Sequence, residues 1–107
     1  MTKEEALFSE IGATLAGTTR SQLFGKPCYK INKKAFICFF ENELVFKLPG
    51  AIHQSALDLE GAQLFDPSKK NRPMREWVQV PANHIDKWPA LAKEAMDYVS
   101  EITTTKK

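Results

Sequence analysis

Long apolar stretches are missing from this chain. The longest, residues 35–40, falls far short of the roughly 20 residues that a membrane-crossing helix needs. The opening residues Thr2, Lys3, Glu4 and Glu5 cannot form the apolar region of a secretion signal. A cytoplasmic protein without membrane association is therefore expected. Cysteine is scarce: Cys28 and Cys38 are the only two, and in a reducing compartment they stay free thiols, so no disulfide framework is expected. Histidine is equally scarce. A zinc site would have to recruit both His53 and His84 together with the two cysteines, and the closely spaced ligand pairs of a structural site are absent. No metal or other cofactor is expected. An excess of one charge is lacking too, because 15 basic and 13 acidic side chains leave a formal +2. Nucleic-acid binding would then require a local concentration of cations. No signature places Ser or Cys beside a histidine oriented by a third group, and the chain is expected not to be an enzyme.

What is present describes one ordinary globular domain. The 107 residues are 43% hydrophobic, 26% charged and 10% aromatic, enough to bury a single core without staples. Thr2 and Glu5 have the spacing of a capping box, and Leu7, Phe8, Ile11 and Leu15 follow at helical spacing, so a first helix is expected from Lys3 to about Ala16, ended by Gly17. Residues 18–26 show no period and read as a connection. Three β-rich runs come next, 28–31, 35–40 and 44–48, separated only by short polar breaks. Connections this short join antiparallel strands, which predicts a three-stranded meander over residues 27–48.

A three-residue loop at 32–34 and a two-residue loop in the break at 41–43 would set the register. One face then collects Tyr29, Ile31, Ala35, Ile37, Phe39, Leu44, Phe46 and Leu48, all apolar, as a core face must be. The opposite face collects Cys28, Lys30, Phe36, Cys38, Phe40, Val45 and Lys47, a mixture that something must cover or bind. Beyond Pro49 and Gly50, the spacing of Ile52, Ala56 and Leu59 predicts a short helix, 63–65 a brief edge strand, and 74–80 a further strand ended by Pro81. Asp86 is placed to cap a last helix with an apolar stripe of Trp88, Leu91, Ala92, Ala95, Val99 and Ile102. The tail 103–107 is expected to fray. The order α-β-β-β-α-(β)-β-α predicts an α+β fold, an antiparallel meander sheet with helices packed on it.

Several blocks carry a family resemblance: Leu23-Phe24-Gly25 before the meander, Glu43-Leu44-Val45-Phe46-Lys47-Leu48, Leu64-Phe65-Asp66-Pro67, the run from Arg72-Pro73-Met74-Arg75-Glu76-Trp77 to Pro81, and Asp86-Lys87-Trp88-Pro89. In order and spacing they resemble the N-terminal domain of the TfoX/Sxy family over nearly the whole chain. The resemblance implies an α+β fold and a link to regulators of competence. Larger members carry a second, C-terminal domain, and this chain ends where that domain would begin, so a stand-alone N-terminal domain is implied. The family supplies no catalytic residues to transfer.

Two regions are singled out for interaction. On the mixed face, Lys30, Phe36, Cys38, Phe40, Val45 and Lys47 offer an aromatic ring between cations that could stack unpaired bases, or an apolar patch that a protein partner or a second copy could bury. Lys69, Lys70, Arg72 and Arg75 form the densest basic stretch, suited to phosphates or an acidic partner. Cys28 would lie directly opposite Cys38, where inert packing competes with a redox role. The leading expectation is a non-enzymatic interaction module working through protein contacts or as a homodimer. Nucleic-acid binding is the alternative, and a small-molecule site or enzyme cleft between the last helix and the sheet comes third.

Overall fold

Helix α1 (Lys3–Thr14) starts where Thr2 Oγ1 accepts a hydrogen bond from the Glu5 amide at 3.0 Å, as the capping spacing requires. These features belong to a computed structural model that describes residues 2–23, 25–66 and 74–104. The helix buries Phe8, Ile11 and Gly12. It stops at Thr14 rather than near Ala16, because Leu15 is already extended. Gly17, at φ +83°, turns the chain back.

The next segment is a strand where a connection was expected. Strand β1 (Thr18–Leu23) pairs antiparallel with β2 (Lys26–Ile31), from Thr18 opposite Ile31 to Leu23 opposite Lys26. Its sequence hides it, because a strand at the margin of a sheet, with polar residues pointing both ways, has no apolar alternation to show. Strands β3 (Lys34–Phe40) and β4 (Glu43–Lys47) continue a four-stranded meander. Both later turns are two residues long, Asn32-Lys33 and Glu41-Asn42, with all four residues at positive φ between 50° and 69°. Turns of this hand match the twist of the strands they join.

The first of those turns is one residue shorter than the sequence suggests, yet Cys28 still lies opposite Cys38. A bulge compensates. Tyr29 faces Ile37 and Lys30 faces Ala35, leaving Phe36 as an extra residue on β3. The consequence is a correction to the face assignment: Phe36 turns inward with Ile37, and Ala35 goes to the outer face.

After β4 come α2 (Gly50–Leu57), the three-residue β5 (Gln63–Phe65) and β6 (Met74–Val80). Strand β6 inserts between β4 and β5, so the six strands run β1-β2-β3-β4-β6-β5, all antiparallel. A 3₁₀ segment (Ala82–Lys87) contains Asp86, which therefore does not cap the last helix, and α3 (Trp88–Thr104) begins directly after it. Among the described residues, no helix is long and apolar enough to cross a membrane.

The main core lies between the helices and one face of the sheet. Trp88, Ala92, Ala95 and Val99 of α3 are fully buried with Phe36, Ile37, Leu44 and Phe46. The alanines let the helix approach β3 and β4 closely. Ile102, expected in this stripe, is 40% exposed instead. The helix also outlasts its expected end, since Thr103 Oγ1 donates to the Val99 carbonyl at 2.7 Å and accepts from Asn32 Nδ2 at 2.9 Å. Residues 105–107 of the expected fraying tail lie outside the described residues.

Helix α1 is seated on β2 by Tyr29. Its ring packs 5.1 Å from Phe8, its hydroxyl donates to the Ser9 carbonyl at 3.3 Å, and it lies flat against Gly12, where a Cβ would collide with the ring. We predict that Gly12→Ala destabilises the protein by about 1–2 kcal/mol, because overpacking outweighs the gain of roughly 1 kcal/mol in helix propensity. In a Tyr29→Leu background the same substitution should be neutral or stabilising. Urea denaturation of the four-member cycle checks this.

Candidate interaction surface

The outer face of the sheet holds a second apolar cluster rather than an open patch. Cys28, Cys38, Phe40, Val45, Phe65 and Trp77 are all buried there, with Ala35 partly buried beside them. Phe65 supplies the cover. Strands β3 and β5 are three places apart in the sheet, about 14 Å at normal spacing. Even so, the Phe65 ring meets Phe40 edge-on at 5.1 Å and Trp77 at 6.4 Å. The pairing of β5 with β6 breaks at this point, jumping from Leu64 opposite Val78 to Phe65 opposite Met74. The end of β5 thus leaves the plane of the sheet and carries the ring back over its outer face.

Of the residues expected on the mixed face, only Phe36 changes face, but the others are less available than an open patch requires. Phe36 is in the main core and offers no ring for stacking. Cys38, Phe40 and Val45 do lie on the outer face, but inside the buried cluster. Lys47 is turned toward β6, where its ammonium is 3.4 Å from Glu76 Oε1. At the other end of β4, buried Gln79 donates from Nε2 to Glu43 Oε1 at 2.7 Å. Lys30 remains half-buried on this face, and Lys26 sits 5.5 Å over the Phe40 ring at the margin of the cluster. Lys69, Lys70 and Arg72 lie outside the described residues, as does the side chain of Arg75.

Other expected chemistry is dispersed. His84 Nε2 lies 2.8 Å from the Glu60 carbonyl, whereas both cysteines are buried in the outer cluster. Among the described residues, no group of three or more His, Cys, Asp or Glu side chains is placed to hold a metal ion. The space between α3 and the sheet is filled by packed side chains. An apolar groove elsewhere is lined by Ala56, Leu59, Ala90 and Leu91 with Ser55, Asp86 and Lys87, and neither histidine borders it.

The sequence conceals the feature that stands out in three dimensions, the free edge of β1. This six-residue strand bonds to β2 on one side only, and half of an edge strand's N–H and C=O groups point outward. Among the described residues, no backbone group of another element bonds to that edge. Arg20, the one charged side chain of β1, does not guard it. Its guanidinium turns over the inner face, 5.5 Å from the Phe8 ring, and donates to Ser9 Oγ at 2.8 Å and to the Tyr29 hydroxyl at 3.3 Å.

The same margin is strongly basic. Between Glu10 and Glu41 the chain has five cations, Arg20, Lys26, Lys30, Lys33 and Lys34, and no carboxylate. The remaining residues carry ten basic and thirteen acidic side chains, so a small net charge masks a positive β1–β2–β3 half. On the outer side, Lys30 and Lys33 line a shallow concavity of about 210 Å³ with Thr19 and Ser21 of β1. The absence of any carboxylate over residues 11–40 is the sequence signal that could have found this surface.

Searches of family models, of curated proteins and of solved structures found no match to this chain.

The cysteine pair has its chemistry set by burial. Both thiols are free and buried. Burial pushes the Cys38 thiol up to about 12, with Cys28 adding to the shift and Lys26 opposing it. Cys28 is also raised by burial, against the pull of Lys30 and Arg20. At pH 8 the native Cys38 thiolate population should be roughly a thousandfold below that of a free thiol, so iodoacetamide should label it only after denaturation. Because the folded-state value is raised, the associated stability is fully present below about pH 9 and is lost as pH rises toward 12. Urea denaturation of the wild type should show this decline, and Cys38→Ala, although less stable throughout, should show a shallower one.

Proposed function

We propose that this chain is a non-enzymatic interaction module of the TfoX/Sxy N-terminal type that works through protein contacts at its open sheet edge. The observation that carries the reading is β1: six residues of strand whose outward main-chain groups meet no other element among the described residues. Both faces of the sheet are occupied, one by helices and the other by the Phe65 cluster, so unused main-chain hydrogen-bonding capacity is left to the two edge strands, of which β1 is the longer. Strand addition is a general mode of protein recognition in which the main chain supplies affinity and alternate side chains supply specificity. The apolar patch that self-association would have used, Phe36 with Phe40 and Val45, is internal.

Selection of random octapeptides against the intact protein should yield binders that slow amide hydrogen exchange at residues 18–23 by at least about tenfold, with β4 and β6 unchanged. Binders that protect α2 or α3 instead, or a selection that yields none, would overturn the reading.

A further inference from the structure

We infer that β1 receives an extended acidic segment of a partner protein, which adds as a seventh strand on this edge. The inference rests on the interaction-module reading and adds the chemistry of the partner. Two independent features converge on it.

The first is the asymmetry of the two sheet margins. Strand β5 is only three residues long, a common way of making an edge unattractive for pairing. Strand β1 is twice that length, contains no proline, and has its single charge folded inward toward Phe8 and Tyr29. At about 3.4 Å per residue it offers roughly 20 Å of pairing surface.

The second is charge. A strand added beside β1 would place alternate side chains next to Thr19 and Ser21, with Lys30 directly across from Thr19 and Lys33 bordering the same concavity. Carboxylates at every second position fit that side. Hydroxyls and ammonium groups supply the donors, and no carboxylate between Glu10 and Glu41 competes for them.

Charge also decides against two other occupants. A second copy pairing edge to edge would bring Lys30 and Lys33 of both copies to one seam, with no acid from either β1–β2–β3 segment, an arrangement that like-charge repulsion opposes. Among the described residues a nucleic acid would find cations but no base platform here, since Tyr29, Phe36 and Phe40 are all buried. An acidic peptide alone matches both the cations and the open main chain.

The test uses the full chain, ¹⁵N-labelled, with four capped octapeptides: alternating Glu-Val, alternating Thr-Val, alternating Lys-Val, and the Glu-Val peptide N-methylated at every residue. A twelve-nucleotide oligothymidylate is the fifth probe. The Glu-Val peptide should slow amide exchange at residues 18–23 and bind about tenfold more tightly than Thr-Val, while Lys-Val and the N-methylated peptide should not bind. Lys30→Gln combined with Lys33→Gln should weaken Glu-Val about tenfold and leave Thr-Val unchanged. Equal protection by Thr-Val and Glu-Val would overturn the acidic preference and leave the interaction reading standing. No protection by any peptide would overturn both. Full retention of binding by the N-methylated peptide would reduce the effect to charge alone and overturn strand addition. Tighter binding of oligothymidylate without protection of β1 would assign the surface to nucleic acid, and a dimer in light scattering whose formation protects β1 would assign it to a second copy.

Discussion

Between Tyr29 and Lys30 on β2, strand β3 carries one residue too many, and most of the molecule is arranged around that bulge at Phe36. Without it, a two-residue turn at Asn32-Lys33 would place Cys28 opposite Ile37 and invert β3 beyond Phe36. With it, Ile37, Phe39, Cys38 and Phe40 keep the faces that their neighbours on β2 and β4 require. The extra ring enters the core under α3, where it is fully buried with Trp88, Ala92, Ala95 and Val99. A helix faced with alanine can sit close to a sheet only if the sheet supplies the volume, and Phe36 supplies it.

The bulge also leaves small Ala35 on the outer face. Phe65, arriving from the far margin, closes that face against Phe40 and Trp77. The two irregularities of the sheet, one in β2–β3 and one in β5–β6, are thus complementary: each sends a phenylalanine to the face that needs it. With both faces satisfied, the thiols of Cys28 and Cys38 are held as neutral packing groups, and the unpaired main chain of the sheet is at its margins. Edge strands are normally shortened or charged to prevent pairing. Here β5 is shortened and β1 is not, and the cations around β1 are the basis on which an acidic partner is proposed for it.

Most elements were legible in the sequence because their cause was local. The meander 27–48, the strand over 74–80 and the last helix were each written in apolar periodicity, and Thr2 capped the first helix as its spacing implied. Strand β1 was illegible for the opposite reason. It contributes no side chain to the buried cores among its described residues, and its pairing with β2 depends on main-chain hydrogen bonds that any residues but proline can make. The face assignment was right for Cys28, Cys38, Phe40 and Val45 and wrong for Phe36, since no residue type advertises a bulge in advance. The basic run 69–75 lies largely outside the described residues, whereas the carboxylate-free run 11–40 was visible in the sequence but unremarkable until β1, β2 and β3 were side by side.

The sequence alone determined an α+β domain with an antiparallel sheet, the apolar stripes of its helices, and which strands of the meander must be neighbours, because short-range periodicity and short connections dictate these. Only the tertiary structure decided what covers the outer face, which way Phe36 points, where β6 inserts and which strand is left with an open edge. Those outcomes depend on contacts between residues far apart in the chain. Phe65 over Phe40, β6 beside β4 and α3 over the bulge each favour one arrangement over others that the local pattern allows equally.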